Sequence, residues 1–362
     1  MSSELVFSSG DSIAFDSVRP PIRKPHFVTL DAARGIAAIA VMIHHIGLEN
    51  GSNILRRGFF AVDFFLILSG FVIALSYDRK LRGDLSFNGF MKLRIARLWP
   101  MVVLGGILAI AAYATNPQPD VSGWALAFQF ALIPIVTGGL LFPANPPLWS
   151  LLYEIAANGV HALLLARLSL RQLTALFLAL VAIDFAILAL HHFWAAGFTI
   201  AQAPYAVARI LTGYVMGMLM FRLYQGGQLP KIKAPFYLPL LLILVPLLVP
   251  KILSERIVAV LALGCVFPAA MLLGINNPCP ARWQSAMKWL GGISFPLYIT
   301  HMPIIHLWQS TGLFDHSTRY GWLVWSLPVI TAIAAAAVFE RFYDLPLRTW
   351  LKARSQGVTR IG

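Results

Sequence analysis

The stretch from Leu30 to Gly47, LDAARGIAAIAVMIHHIG, is apolar enough to enter a bilayer and yet carries Asp31, Arg34, His44 and His45. A charged side chain at the centre of a membrane helix costs about 2.5–3.5 kcal/mol on insertion scales, so such groups face a bundle interior or a wet cavity and act there. Arg34 and His45 are eleven residues apart. At about 100° per residue this is three turns plus roughly 20°, so they share one helix face about 16 Å apart along the axis, with His44 rotated about 80° away. His45 is therefore the candidate chemical residue and Arg34 an anion-binding companion on the same wall.

The rest of the chain agrees with a membrane setting. Only 12% of its 362 residues are charged, where a soluble domain carries about a quarter. The expected fold is an all-α polytopic membrane protein of about ten transmembrane helices, near 29–48, 59–77, 99–115, 147–166, 172–190, 205–223, 236–250, 257–275, 289–309 and 321–342. Each is roughly the length a 30 Å hydrocarbon core requires. A further apolar run, 123–142, is broken by Pro134, Gly138 and Gly139, and is expected to be re-entrant or interfacial. The organisation is read as a cytoplasmic N-terminal segment 1–28, one transmembrane domain 29–345 and a cytoplasmic tail 346–362. No cleavable signal pattern precedes the first helix, which would itself direct insertion.

A net charge of +13 first suggests a nucleic-acid binder. With a cytoplasmic N-terminus and ten alternating helices, however, twenty of the 28 Lys and Arg fall inside, five outside and three (Arg34, Arg209, Arg341) within helices. That is the positive-inside bias, so topology accounts for the basic residues and nucleic acid is not implied. The same topology puts both termini in the cytoplasm, His45, Asp63, Glu154 and His301 at similar depth near the outer face, and Arg34, Arg94 and Arg97 near the inner one. The pattern suggests one passage with an acidic and imidazole mouth and a cationic mouth. Two cysteines, one in an apolar run and one in a basic loop, support no disulfide framework. No phosphate-binding glycine loop, zinc spacing or dinucleotide fingerprint occurs, so no metal is expected.

Five blocks in order, RGIAAIAVMIHH, FFAVDFFLILSGFVIALSY, RIARLWP, PPLWSLLYE and ISFPLYITHMP, resemble bacterial membrane acyltransferase family 3 over about residues 26 to 345. The resemblance implies an inner-membrane O-acyltransferase using acetyl-CoA or another acyl-CoA from the cytoplasm, and a polysaccharide or other cell-surface glycan as acceptor. The family's arginine-x10-histidine pattern falls on Arg34 and His45, and its R-x-x-R motif on Arg94 and Arg97. In that reading His45 is the general base for a poorly nucleophilic hydroxyl, directly or by an acyl-histidine relay. Glu154 or Asp63 would fix its tautomer. Arg34, Arg94 and Arg97 would hold the phosphates of the donor.

Plainer roles stand beside these: snorkelling to headgroups for Arg94 and Arg97, pairing with Arg56 or Arg57 for Asp63, close helix packing for Ser69 and Gly70. Trp149 and Ser150 would anchor a helix start at the interface or contact the acceptor. Tyr298 and His301 would line the pocket, bond between helices or act directly. The rival class is a transporter using intramembrane His, Asp and Arg as a proton relay. Within the enzyme class a succinyl or longer donor, or a small-molecule acceptor, stays open, as does a homo-oligomer.

Overall fold

A computed structural model of the chain describes residues 25–49, 51, 54–137, 139–191, 197–250, 252–313 and 321–357. The N-terminal segment up to residue 24, residues 358–362 of the tail, and the charges Arg19, Arg23, Lys24, Lys251, Arg319 and Arg360 lie outside the described residues. Inside lipid each backbone N–H and C=O must be satisfied within its own segment, and apolar runs of this length answer as helices. In chain order they are α1 (Val28–Glu49), α2 (Ala61–Leu81), α3 (Phe87–Thr115), α4 (Gly123–Phe128), α5 (Leu148–Leu163), α6 (Leu170–His191), α7 (Ala203–Gln225), α8 (Leu238–Leu248), α9 (Glu255–Leu261), α10 (Phe267–Asn276), α11 (Ala281–Gln309), α12 (Gly321–Phe339) and α13 (Leu345–Gly357). No strand occurs among the described residues; one isolated bridge pairs Leu140 with Thr199.

Seven stretches among the described residues are long and apolar enough to cross a membrane: Val28–Glu49, Gly58–Leu81, Phe87–Thr115, Leu170–His191, Ile200–Gln225, Glu255–Asn276 and Val324–Leu351. The expected count of about ten is not reached by this measure. α5 has 16 residues and α8 has 11, about 24 and 16 Å at 1.5 Å per residue, short of a ~30 Å core. α11 is 29 residues long but carries Gln284, Lys288, Ser294, Thr300 and His301 along its course. The run 123–142 does not cross: α4 gives way to a 3-10 turn at Gln129–Ala131, Leu132 turns left-handed, and Leu141 N–H donates to the Phe198 carbonyl at 2.8 Å.

Two helix boundaries bear on the site. α3 begins at Phe87, twelve residues before the expected start, because Ser86 caps it by accepting from Gly89 N–H. Arg94 and Arg97 therefore sit inside the helix rather than ahead of it. At the other end of the chain, α12 runs through a π turn at Glu340–Asp344 into α13, which packs on α3. Much of the expected tail is thus a helix laid on the bundle.

Glycines set the two tightest helix contacts. A Cβ on Gly70 would lie 2.0 Å from the Tyr214 carbonyl oxygen, and one on Gly217 would lie 1.9 Å from that of Ile67, so α2 and α7 touch backbone to backbone. A Cβ on Gly35 would come within 2.4 Å of the Leu290 carbonyl, and one on Gly291 within 2.6 Å of Asp31 Cβ, so α1 and α11 do the same. Residues 34 and 45 of α1 meet residues 294 and 301 of α11 respectively, so these two helices run parallel. Within α11, Pro303 has no N–H, which leaves the Ile299 carbonyl without its helical donor. The fully buried Asn145 supplies one, its Nδ2 donating at 2.9 Å, and this ties the entry to α5 against α11 two residues before His301.

Candidate functional site

At the contact of α1 and α11 the imidazoles of His45 and His301 meet, His301 Nε2 lying 3.0 Å from His45 Nδ1. Each Nδ1 is also 3.0 Å from a carbonyl one turn earlier, that of Val41 for His45 and that of Leu297 for His301. A carbonyl can only accept, so both neutral rings carry their proton on Nδ1. The one His45 Nδ1–H is then shared between the Val41 carbonyl and His301 Nε2, and His45 Nε2 is left with a lone pair and no hydrogen-bond partner among the described residues. Neighbouring His44 turns away and is 3.0 Å from the Leu55 carbonyl, holding the connection to α2.

Towards the start of α1 the same interface opens into a cavity of about 180 Å³ lined from α1, α2, α3, α5, α11 and α13. Four guanidinium groups reach it: Arg34, Arg94, Arg97 and Arg348. Arg34 donates from Nε to Ser294 Oγ and from Nη2 to the Gly291 carbonyl, both at 2.8 Å, and lies 3.4 Å from Asp31. Arg94 is buried and donates to Glu154 Oε1 at 3.0 Å, an oxygen that also accepts from Ser69 Oγ at 2.9 Å. Its Nε is buried without a partner. Arg97 has no hydrogen bond or ion pair to any described residue; Arg34, Arg94 and Arg348 lie within coulombic range, as do the carboxylates of Glu154 and Asp344. Arg348 pairs with Asp344 on its own helix. At the far end of the cavity Tyr298 and Phe65 pack edge to face, with the Tyr298 hydroxyl 2.6 Å from Ser150 Oγ.

The distribution differs from the expected one in three respects. His45 is bonded to His301, not to a carboxylate. Asp63, expected beside it, is buried between α2 and α7, where Arg209 grips it bidentately at 2.7 and 2.9 Å. Glu154, also expected at that depth, sits among the arginines. For Asp63 the physical reason is that helix depth says nothing about azimuth, since it faces α7; for Glu154 the depth itself differs, because its bond to Arg94 puts it at the level of the arginines. The third difference is that the cavity stops at Tyr298 and Phe65 and does not include His45. The Tyr298 ring contacts that of His301, 6.0 Å between centroids, so one layer of side chains separates the arginines from the imidazole pair. Ser150 lines the cavity. Trp149 does not; it packs on Tyr153 and against Gly197.

Arg209, Arg348 and Asn145 escaped the sequence reading. A lone arginine in an apolar helix needs a carboxylate, and a proline in one needs a substitute donor, so Arg209 and Asn145 had a signal. Among the described residues no group of three or more His, Cys, Asp and Glu is arranged to hold a metal ion.

Fold and site together define a helical membrane protein with a cationic cavity beside a bonded imidazole pair. Comparison with known proteins makes this specific. The model of the acyltransferase 3 family, described as an acyltransferase domain, matches residues 27–340, and the chain belongs to that family. A curated relative, "Protein 2 in picA locus" of Rhizobium radiobacter, is 34% identical over 188 residues, covering 46% of this chain and 95% of that protein. No solved structure matches the chain.

Proposed function

We propose that this membrane acyltransferase moves an acetyl group from acetyl-CoA to a hydroxyl of a polysaccharide or other cell-surface glycan. It would work in the bacterial inner membrane, with both termini and the arginine end of the cavity on the cytoplasmic side. The observation that carries this reading is the cavity itself. Four guanidiniums gather at one end, Arg97 among them with no counter-ion bonded to it, and the other end abuts the Tyr298–His301–His45 series. Guanidinium forks suit phosphate oxygens. A coenzyme A thioester has this polarity, with its phosphates at one end and its reactive carbonyl on a long neutral arm.

The chemistry follows from the tautomers. His45 Nε2 takes the proton of the acceptor hydroxyl as its oxygen attacks the thioester carbonyl. The C–O bond forms, the C–S bond breaks, and the departing thiolate takes the proton back from His45. While His45 is an imidazolium, its Nδ1–H bond to His301 Nε2 becomes charge-assisted, which is the service expected of Glu154 or Asp63. For the thioester to arrive, the Phe65 and Tyr298 rings must part. Glu154 instead positions Arg94, and Asp63 holds α2 to α7.

Replacing His45 by Ala or Gln tests the assignment. O-acetyl content of the surface glycan, and thiol release from acetyl-CoA, should fall by about 10²–10⁴, the usual worth of a general base. Unchanged acetylation at normal protein level would remove His45 from the reaction. The donor is tested separately: acetyl-CoA should raise the apparent melting temperature of the purified protein, because a ligand that binds only the folded state stabilises it. No shift at saturating acetyl-CoA would favour a transporter.

A further inference from the structure

Away from the arginines a second hollow, of about 140 Å³, lies between α6, α7, α9 and the π turn Ala262–Val266 that joins α9 to α10. Its walls are Phe177, Val181 and Leu188 of α6, Met216 of α7, and Val260 and Leu263 opposite them. The one charged side chain among the described lining residues, Asp184, is buried and bonded to α7, where Thr212 Oγ1 donates to its Oδ2 at 2.6 Å. Apolar cavities of roughly 150 Å³ stay dry and admit apolar groups. This one opens sideways. α6 buries only Leu173, Leu180, Asp184 and Leu188 of its 22 residues, and Phe185, Val260 and Gly264 at the mouth are exposed. Counted from the end of α6 at His191, Leu188 is three residues down and Phe177 fourteen, roughly 4 and 21 Å at 1.5 Å per residue. α6 and the stretch Glu255–Asn276 are both long and apolar enough to cross the membrane, so the mouth faces hydrocarbon. Gly264 differs from the glycines that join α1 to α11 and α2 to α7: a Cβ on it would meet nothing within 4 Å. It leaves room rather than closing a contact, and it does so on a π turn, a form that recurs at functional sites.

Above the mouth the surface changes character. Arg256 precedes Val260 by four residues on α9, so it stands on the same face one turn nearer the membrane border. Glu255 is about 100° round the helix from it. Helical side chains lean towards the N-terminus, which carries the Arg256 guanidinium away from the hollow to headgroup level. We propose that the hollow binds one membrane phospholipid, with an acyl chain between α6 and the π turn and the phosphate on Arg256. A guanidinium has five N–H donors, so it serves a phosphate beside the bonds it already makes. A chain gains little by leaving a bilayer as apolar as the wall. What the site adds is dispersion contact along a void and one charge-assisted contact at its rim. The bound chain seats α6 on α7 at Thr212, three residues beyond the Arg209 that holds Asp63. The site is independent of the acyl-CoA site.

The experiment follows the melting temperature of the full-length protein, purified in detergent and stripped of lipid, as three probes are added. Dioleoylphosphatidylglycerol has chains and phosphate, dioleoylglycerol has the chains alone, and glycerol phosphate lacks chains. The first should raise the melting temperature most, the second less, and the third not at all. Arg256→Gln should raise the phosphatidylglycerol concentration needed for half the effect by about tenfold, the worth of a charged hydrogen bond. Gly264→Phe places a ring in the open mouth and should abolish the response. A phosphatidylglycerol with a photoreactive diazirine in its chain should mark residues 177–188 and 259–264, and Gly264→Phe should lose those marks while keeping others on α6. Equal shifts from phosphatidylglycerol and dioleoylglycerol overturn the site, and this arm needs no variant to fold. So do an unchanged response in Gly264→Phe, marks spread evenly over the exposed side of α6, or an isoprenoid or a second copy of the protein found in the hollow instead.

Discussion

Arginines gather in two regions of this molecule, and the two treat them differently. Between α2 and α7, Arg209 spends its fork on Asp63, and lower in the same contact Asp78 meets both His161 at 2.7 Å and Arg222 at 2.8 Å. Both aspartates are 1% exposed, and opposite charges face each other directly. In the cavity the pairing is looser. Glu154 answers Arg94, Asp344 answers Arg348, Arg34 bonds to neutral oxygens with Asp31 at a looser 3.4 Å, and Arg97 bonds to none of the described residues, Glu154 and Asp344 reaching it only through space. A closed pair in a low-dielectric bundle is already neutral and has nothing to offer a ligand. Guanidiniums that are half-buried or exposed and only loosely bonded keep donors free for an anion. The contrast separates arginines that hold the bundle from those that hold a substrate.

The largest effect should come from opening a closed pair. Asp63→Asn strands Arg209 without a counter-charge, and breaking a buried pair costs about 3–5 kcal/mol. The variant should lose much of its folded yield in detergent, with a lower melting temperature by scanning fluorimetry. Converting both partners to apolar residues, Asp63→Leu with Arg209→Met, should recover most of that loss. An Asp63→Asn protein of native stability that transfers no acyl group would reverse the comparison and return Asp63 to the reaction.

Removing Arg97 should do the opposite. It bonds to no described residue, so Arg97→Ala should leave the melting temperature of the free protein within the range of surface substitutions, about ±0.5 kcal/mol. Stabilisation by acetyl-CoA should weaken, since a hydrogen bond to a charged group is worth about 1.5–3 kcal/mol, or roughly ten- to 150-fold in affinity. The remaining donor affinity should also depend less on salt, because one screened attraction is gone. A large stability loss in Arg97→Ala with donor binding intact would place Arg97 among the structural arginines.

The reach of the sequence differs between these regions for a physical reason. Helical periodicity puts Arg34 and His45 on one face, and the structure turns that face to α11, where Ser294 and His301 receive them. The breaks at Pro134 and Gly139 likewise announce that 123–142 cannot cross as a helix. Periodicity within one helix, however, carries no information about which helices are neighbours. Pairing of Asp63 with Arg209 depends on the Gly70 and Gly217 contacts that bring α2 to α7, and these become complementary only once packed. Arg94 and Arg97 appear as flanking charges because hydropathy falls where they occur; the Ser86 cap starts the helix early enough to include both, and Glu154 receives Arg94 inside the bundle. Arg348 lies where apolarity ends, so a linear reading assigns it to a tail although α13 folds it back over α3.

The smallest effect tests whether the cavity is prepared in advance. Ser294 Oγ donates to the Gly291 carbonyl at 2.7 Å and accepts from Arg34 Nε at 2.8 Å, so one hydroxyl fixes the fork of Arg34 against α11. Ser294→Ala removes that acceptor but leaves the Gly291 carbonyl for Nη2. The loss is one ordinary hydrogen bond, about 1 kcal/mol, or roughly fivefold. If the site acts by holding its guanidiniums in place before the donor arrives, that fivefold should appear in the KM for acetyl-CoA, with kcat and melting temperature nearly unchanged. Arg34→Ala should cost several times more. Should Ser294→Ala instead lower the melting temperature and spare KM, Arg34 would be serving the α1–α11 contact, and the open cluster would shrink to the arginines of α3 and α13.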